Sequence, residues 1–350
     1  MIREEGGKGG REVLSLAQGI VHWKPPPSAC EAAMRGIAEE DTHRYGPDGG
    51  INGLVDLMRD KIRNENHLVS SSVMITAGSN QAYMNVVLTL LDEGDTSLLL
   101  IPYYFNHLMA LQMTGARIEL APTTKTLQPD LDWLRQRLGD VDKPKVKELR
   151  SLCASSSVWL VCDTGYEYEN VPHACVEGEN VLNLFSFSKS YGMMGWRVGC
   201  VAMPLGVEEE MLKAQDTIPI CPPILSQKAA AGAMEAGRKW VKEKVRGLWR
   251  TKKRMRGMLV ECLGEEAVLG GSGAIYLMVK LPESMEEDEK AVEWLVKKHQ
   301  VCVIPGSACG FRGHVRVCYS NLSEERCEEA IKRLRSGLEE MKSLEGGKGA

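Results

Sequence analysis

Long apolar runs are missing from this chain. The longest, such as Ser97–Ile101 and Val158–Cys162, fall far short of the roughly 20 residues that a membrane-spanning helix needs. The opening stretch M-I-R-E-E-G-G-K-G-G-R carries acids and glycines but no apolar core, so a secretory signal is not expected and a cytoplasmic location is. A strong excess of one charge sign is also missing. The net charge of −4 over 350 residues gives no footprint for nucleic acid or for a membrane surface. There is no C-x-x-C pair: eleven cysteines, an odd number, stand singly, and several lie in apolar runs (Cys162, Cys200, Cys318). That pattern excludes a disulfide framework or a zinc site and fits reduced, buried thiols. The histidines lack metal-ligand spacing, so no metal is expected. Internal repeats and low-complexity tracts are absent too, while the length suffices for two domains.

What is present is an alternation of short apolar runs and helical patterns, the mark of a layered α/β domain. Val73–Ile75 reads as a strand, A-G-S-N as a turn and Gln81–Leu91 as an amphipathic helix. Thr96–Ile101 is a buried strand, Phe105–Thr114 a helix and Arg117–Leu120 an extended segment. Val158–Cys162, Val181–Phe185 and Val198–Met203 complete the strand set. One irregularity stands out: Asp130–Leu138 and Lys145–Ala154 both read as helices, with no strand run between them. From Pro222 the character changes. Long helical patterns over Ile224–Gly264 lead to a glycine cluster at Gly270–Gly273. Strand (Ala274–Leu281), helix (Lys290–His299), two strands (Val301–Ile304, His314–Tyr319) and helix (Glu324–Met341) follow as a compact α+β unit.

The chemistry concentrates in S-F-S-K-S-Y-G-M-M-G-W-R-V-G, Ser186 to Gly199. Lys189 sits among hydroxyls and glycines, and Arg197 follows eight positions later. A buried lysine amine can condense with an aldehyde, and a guanidinium grips a phosphate with its planar fork. Together they point to pyridoxal phosphate, held at its C4' carbon by Lys189 and at its phosphate by Ser186 and Arg197. Asp163 ends the strand V-W-L-V-C-D, facing the ligand crevice of an open α/β sheet, where it would keep the pyridine nitrogen protonated. Tyr166 is placed to hydrogen-bond the ring oxygen. Ser79 and Asn80 offer free N–H groups at a helix N-terminus, suited to phosphate. Tyr104 supplies a flat ring for stacking, and Trp23, Tyr103 and Tyr104 suggest an apolar substrate lining.

These residues resemble the fold-type I pyridoxal-phosphate enzymes, specifically class I aminotransferases, over about residues 13–340. The match is S-K-x-x-G-x-x-G-x-R-x-G at Ser188–Gly199, with D-x-x-Y at Asp163–Tyr166 before it. The resemblance places Ser188 at the cofactor as well, Arg316 in H-V-R-V-C-Y at the substrate carboxylate, and Gly19 in L-A-Q-G-I in the substrate-binding segment. It also implies a homodimer in which Tyr45, in Y-G-P-D-G-G, reaches the neighbouring subunit's phosphate. The wording S-L-A-Q-G-I-V-H-W-K-P-P and P-Y-Y-F-N is similar to a plant branch of aromatic aminotransferases that use methionine as donor and an indole-pyruvate as acceptor.

One departure is marked. The family carries N-P-x-N-P-x-G on a strand and loop ahead of D-x-x-Y, and this chain has no Asn-Pro dipeptide. The expected fold is therefore α/β, a mainly parallel central sheet sandwiched by helices, with one large-domain strand missing and a smaller α+β C-terminal domain. The large domain would span 44–250; residues 1–43 and 251–350 would form the small one. The implied reaction is ping-pong transamination between an amino acid and a 2-oxo acid. Two alternatives share these residues: another reaction on the scaffold, such as a C–S lyase or an aminocyclopropane-carboxylate synthase, or an inactive isoform without the missing segment. The formal S-x-x-K at Ser186–Lys189 lacks the K-T-G of acyl enzymes. The basic run Arg250–Arg256 reads as a solvated helix face.

Overall fold

The computed structural model describes residues 12–138, 146–163, 175–271 and 273–346. Its strands are β1 (Leu14–Ser15), β2 (Ser72–Thr76), β3 (Thr96–Leu100), β4 (Arg117–Ala121), β5 (Leu160–Asp163), β6 (Val181–Ser186), β7 (Gly199–Met203), β8 (Val268–Gly270), β9 (Tyr276–Lys280), β10 (Val301–Cys302), β11 (Ile304–Pro305) and β12 (His314–Cys318). The main ladder runs β2-β7-β6-β5. β7 is antiparallel to both neighbours, so β2, β6 and β5 share a direction and β7 alone opposes them.

The apolar runs of these strands are continuous because helices cover both faces of the sheet. Period-two alternation then divides each strand between two cores. Cys200 and Ala202 of β7, with Val73 and Ile75 of β2, face helices Asn52–Asn66 and Ile224–Glu235 through Leu54, Met58 and Ala229. Val201 and Met203, with Met74, Leu182 and Leu184, face helix Ser79–Leu90 through Ala82, Val86 and Val87.

The sheet is interrupted. Among the described residues, β3 and β4 pair in parallel as a separate ladder, and β5 has a partner only in β6. Among the described residues, the chain from Ala121 to Leu160 supplies helices Leu131–Leu138 and Val146–Ser155 and no strand between them. The break therefore falls where the sequence puts two helices in succession. Exposure follows it: all of β7 is buried, whereas three residues of β3 and three of β5 are only half-buried. Trp159, just before β5, is 37% exposed. Hydrophobic contact still joins the two ladders, since Leu99 of β3 shares a core with Leu182 and Leu184, against which Val161 packs.

The second sheet is antiparallel, in the order β11-β12-β9-β8. Helices Gly237–Leu263, Asp288–His299 and Glu324–Gly346 enclose its core, where Met255, Leu259, Leu295, Leu334 and Leu338 meet Leu277, Val279, Val315 and Val317. The N-terminal segment is sewn into this unit: β1 pairs with β10, and the Cys318 amide donates to the Leu16 carbonyl at 2.9 Å. Helix Pro27–Ile37, by contrast, lies on Ile224–Glu235 in the larger core. Gly232 permits that approach, because a Cβ there would meet the Ser28 carbonyl oxygen at 2.5 Å. The helical pattern over Ile224–Gly264 is two helices, divided at Gly237, whose φ of +67° suits glycine.

The basic run on Gly237–Leu263 is tied into the fold. Arg250, Arg254 and Arg256 pair with Glu324, Glu328 and Glu265. Lys252 and Lys253 lie over the rings of Tyr319 and Trp249. No helix among the described residues is long and apolar enough to cross a membrane.

Candidate active site

β6 ends at Ser186, which caps the single turn Phe187–Ser190 by accepting a hydrogen bond from the Ser188 amide at 3.2 Å. Phe187 anchors the turn from below, buried and stacked on Tyr191 at 5.6 Å. Lys189 is thereby presented to a cavity of about 680 Å³. Burial pushes its amine below the usual lysine range; the Arg197 and Arg316 charges push the same way, while Cys318 and Asp163 oppose.

Arg197 also lines this cavity, in a left-handed backbone conformation (φ 52°) with Nη1 donating to the Met194 carbonyl at 2.9 Å. It lies against the start of helix Ser79–Leu90. Gly78, with φ of +87°, is the residue before that helix, and a Cβ on it would collide with the guanidinium, 2.9 Å from Cζ. Gly199 of β7 is equally constrained, since a Cβ there would come within 2.6 Å of the Ser79 nitrogen. The result is a cradle of one guanidinium and the first amides of a helix, which lack intrahelical acceptors. Both Ser79 and Asn80 line it.

Asp163 closes β5 and reaches the cavity with its side chain 27% exposed. His107, in the first turn of helix Phe105–Met113, brings Nε2 to 3.2 Å from Asp163 Oδ2. The imidazole stacks on Tyr83 at 3.9 Å and meets Tyr104 edge-on at 5.4 Å. Burial, with the Asp163 charge beside it, pushes the Tyr83 hydroxyl up to about 12. Tyr104 itself is 38% exposed and faces the cavity.

On the opposite wall, alternation along β12 turns Val315 and Val317 to the core and leaves Arg316 on the cavity side. Arg316 is 8% exposed, Nη2 donates to the Ala17 carbonyl at 3.2 Å, and Nε has no hydrogen-bond partner. A buried cation with an unused donor is a costly arrangement unless an anion completes it.

The structure thus gathers Ser79, Asn80, Tyr104, Asp163, Ser186, Ser188, Lys189, Arg197, Gly19 and Arg316 around one cavity, as the sequence suggests. Tyr45 does not join them in the single chain; it is 80% exposed and outside the lining. Tyr166 lies outside the described residues. Trp23 corrects an expectation: it is buried in the core around β9 and β12, not in the cavity wall, because its carbonyl and ring back onto Gly192 behind the lysine turn. His107 and Leu127 were missed. The only signal for His107 was its place three residues, nearly one helical turn, after Tyr104; Leu127 stands in a polar loop with a φ of 59° and offers none. Among the described residues no cluster of three or more His, Cys, Asp or Glu could hold a metal.

Comparison with known proteins agrees with this geometry. The family model described as "Aminotransferase class I and II" matches residues 11–334. The aromatic aminotransferase ISS1 of Arabidopsis thaliana is 43% identical, covering 94% of this chain and 90% of its own length. Among solved structures, an aromatic aminotransferase from Pyrococcus horikoshii superposes with a TM-score of 0.83 at 25% identity, covering 96% of this chain and 98% of the other. An aspartate aminotransferase mutant from Thermus thermophilus gives 0.84 at 26% identity, covering 95% and 94%. With nearly the whole chain matched in both sequence and fold, it belongs to the class I and II aminotransferases.

Proposed function

We propose that this aminotransferase works through pyridoxal phosphate and takes aromatic amino acids or methionine as donors and a 2-oxo acid as acceptor, by ping-pong exchange. One observation carries the reading: a single cavity sets Lys189, its amine held below the usual lysine range, beside Asp163, Arg197 and Arg316. The donor set fits the cofactor. An amine suits its aldehyde, a guanidinium with a helix N-terminus suits its phosphate, a carboxylate suits its ring nitrogen, and the Tyr104 face suits its ring.

When bound, pyridoxal phosphate supplies an electron-accepting ring that makes the substrate α-hydrogen acidic. Asp163, oriented by His107, holds the proton at the ring nitrogen. Arg197, Ser186, Ser188 and the amides of Ser79 and Asn80 would hold the phosphate. Lys189 would anchor the cofactor through its amine, and the same amine would take the proton from the substrate α-carbon. Arg316 and the Gly19 segment orient the carboxylate, so that the α-hydrogen faces that amine.

Substrate choice follows from charge. Lys189, Arg197 and Arg316 are the cations among the described lining residues, and each already has a role. None is left for a second carboxylate, while Leu127, Leu269 and Met278 line the remaining wall. The names of the Arabidopsis and Pyrococcus relatives support the aromatic reading. We further place the site between a large and a small domain of a homodimer, with exposed Tyr45 serving the partner's phosphate. A cytosolic location fits the eleven unpaired cysteines.

The test is a visible spectrum of the purified chain with pyridoxal phosphate, before and after methionine or phenylalanine. An absorbance band that bleaches with the amino acid, returns with a 2-oxo acid and is absent in Lys189→Ala supports the proposal. Bleaching that no 2-oxo acid reverses, with loss of the amino acid's side chain, indicates a lyase. A spectrum matching free cofactor means the interrupted sheet no longer supports the site.

A further inference from the structure

The guanidinium of Arg316 is met by an aromatic ring where an acid would normally stand. Its Cζ lies 4.3 Å from the centre of the Tyr276 ring, and among the described residues it forms no ion pair. Tyr276 and Met278 occupy alternate positions of β9, and Arg316 pairs in register with Met278. Tyr276 is therefore the diagonal neighbour of Arg316 on the cavity face, within reach of a long side chain. Both line the cavity. The ring is fixed from its far side as well. A Cβ at residue 19 would overlap the Tyr276 hydroxyl oxygen and stand 2.8 Å from Cζ of the ring. Gly19 has no unusual backbone angle to explain its lack of a side chain. Space for the tyrosine explains it.

We propose that Tyr276 is a positioning residue for the substrate carboxylate, and that Gly19 serves it by admitting the ring. This rests on the reading of Arg316 as the carboxylate anchor. An aromatic face attracts a guanidinium without supplying an acceptor that would occupy its N–H groups. The fork is shielded from water, and its buried Nε has no hydrogen-bond partner. An acid at the same place would neutralise the arginine in advance. An aliphatic side chain would leave the fork free to rotate, and ordering it would then be charged against binding.

The experiment uses two unreactive probes, 3-phenylpropanoate and 3-phenylpropanamide, titrated calorimetrically into the full chain with pyridoxal phosphate present. They share a ring and differ only in the carboxylate. Wild type is expected to prefer the acid, and Tyr276→Leu to lose about tenfold of that preference while its affinity for the amide stays unchanged. Tyr276→Phe keeps the ring and the preference. Gly19→Ala displaces the same ring from the other side and is expected to reproduce the loss, with no further loss in the Gly19→Ala/Tyr276→Leu double variant. If Tyr276→Leu does not fold, by circular dichroism, Tyr276→Met, which also lacks the ring but keeps more of its volume, carries the test. Equal loss for acid and amide would reduce the tyrosine to pocket packing and overturn the proposal, as would an unchanged preference in Tyr276→Leu. A wild type with no preference would instead overturn the role of Arg316 itself.

Discussion

Lys189 combines two opposing demands, since its amine must be sheltered enough to lose a proton and open enough to reach a ligand. Burial depresses its folded pKa below the ordinary 10.5. Between the two values the unfolded chain binds the extra proton, so this group's contribution to stability rises with pH through that window and is a cost below it. The neutral, reactive amine also gains population at lower pH than in free lysine. Capture of pyridoxal phosphate, followed by absorbance from neutral to alkaline pH, should show a midpoint below that of free lysine and should vanish in Lys189→Ala. Asp163→Asn should lower kcat by about 10²–10³-fold, measured in steady-state assays, with a smaller loss in His107→Ala because the aspartate loses only its orientation. Lys189 and Arg197 were legible in the sequence because one stretch of backbone fixes their spacing, and Asp163 because it ends an apolar strand run ahead of them. His107 was not: its partner closes a different strand, and only the folded sheet brings the end of β5 to the first turn after β3.

Among the elements, the start of helix Ser79–Leu90 is the most tightly specified. Gly78→Ala would force a side chain onto a φ of +87° and into Arg197, costing roughly 1–3 kcal/mol from backbone strain alone. Cofactor affinity should fall accordingly, about tenfold for each 1.4 kcal/mol, read by quenching of intrinsic fluorescence. The loop carrying Leu127 tests substrate choice. Its Cδ1 would lie 3.9 Å from a Cβ at Gly270, so it sits against β8 in the cavity wall. Leu127→Arg should raise kcat/KM for aspartate relative to phenylalanine by placing a cation on a wall that now has none to spare. Strands and helices were readable to this depth because β7 is a continuous apolar run and β6 is interrupted only by Asn183 before its terminal Ser186. The division at Gly237 and the burial of Trp23 were not readable, since one is a matter of a backbone angle and the other of what lies behind a turn.

For the whole molecule, the interrupted sheet sets the weakest point. A central strand is normally paired along both edges, but among the described residues β5 is paired along one, and β3 with β4 stand apart. Each hydrogen bond left to water forgoes about 1 kcal/mol of net stabilisation, against a total that is typically only about 5–15 kcal/mol. Amides of β3 and β5 should therefore exchange with solvent well before those of β6 and β7, as hydrogen exchange with mass spectrometry would show. The sequence announced this break through two helices in a row, but not how far the flanking strands would stay attached to one core. The sewing of the N-terminal segment into the second sheet has a different consequence. Arg316, in the cavity wall, and Ala17, whose carbonyl it reaches, are 299 positions apart. At roughly 5–20 residues per second on the ribosome, the segment around Ala17 waits some fifteen seconds to a minute before its partner exists. Lys189 and Arg197, the proposed cofactor ligands, emerge earlier, so the nascent chain would carry the groups for a cofactor before the arginine proposed to grip a substrate.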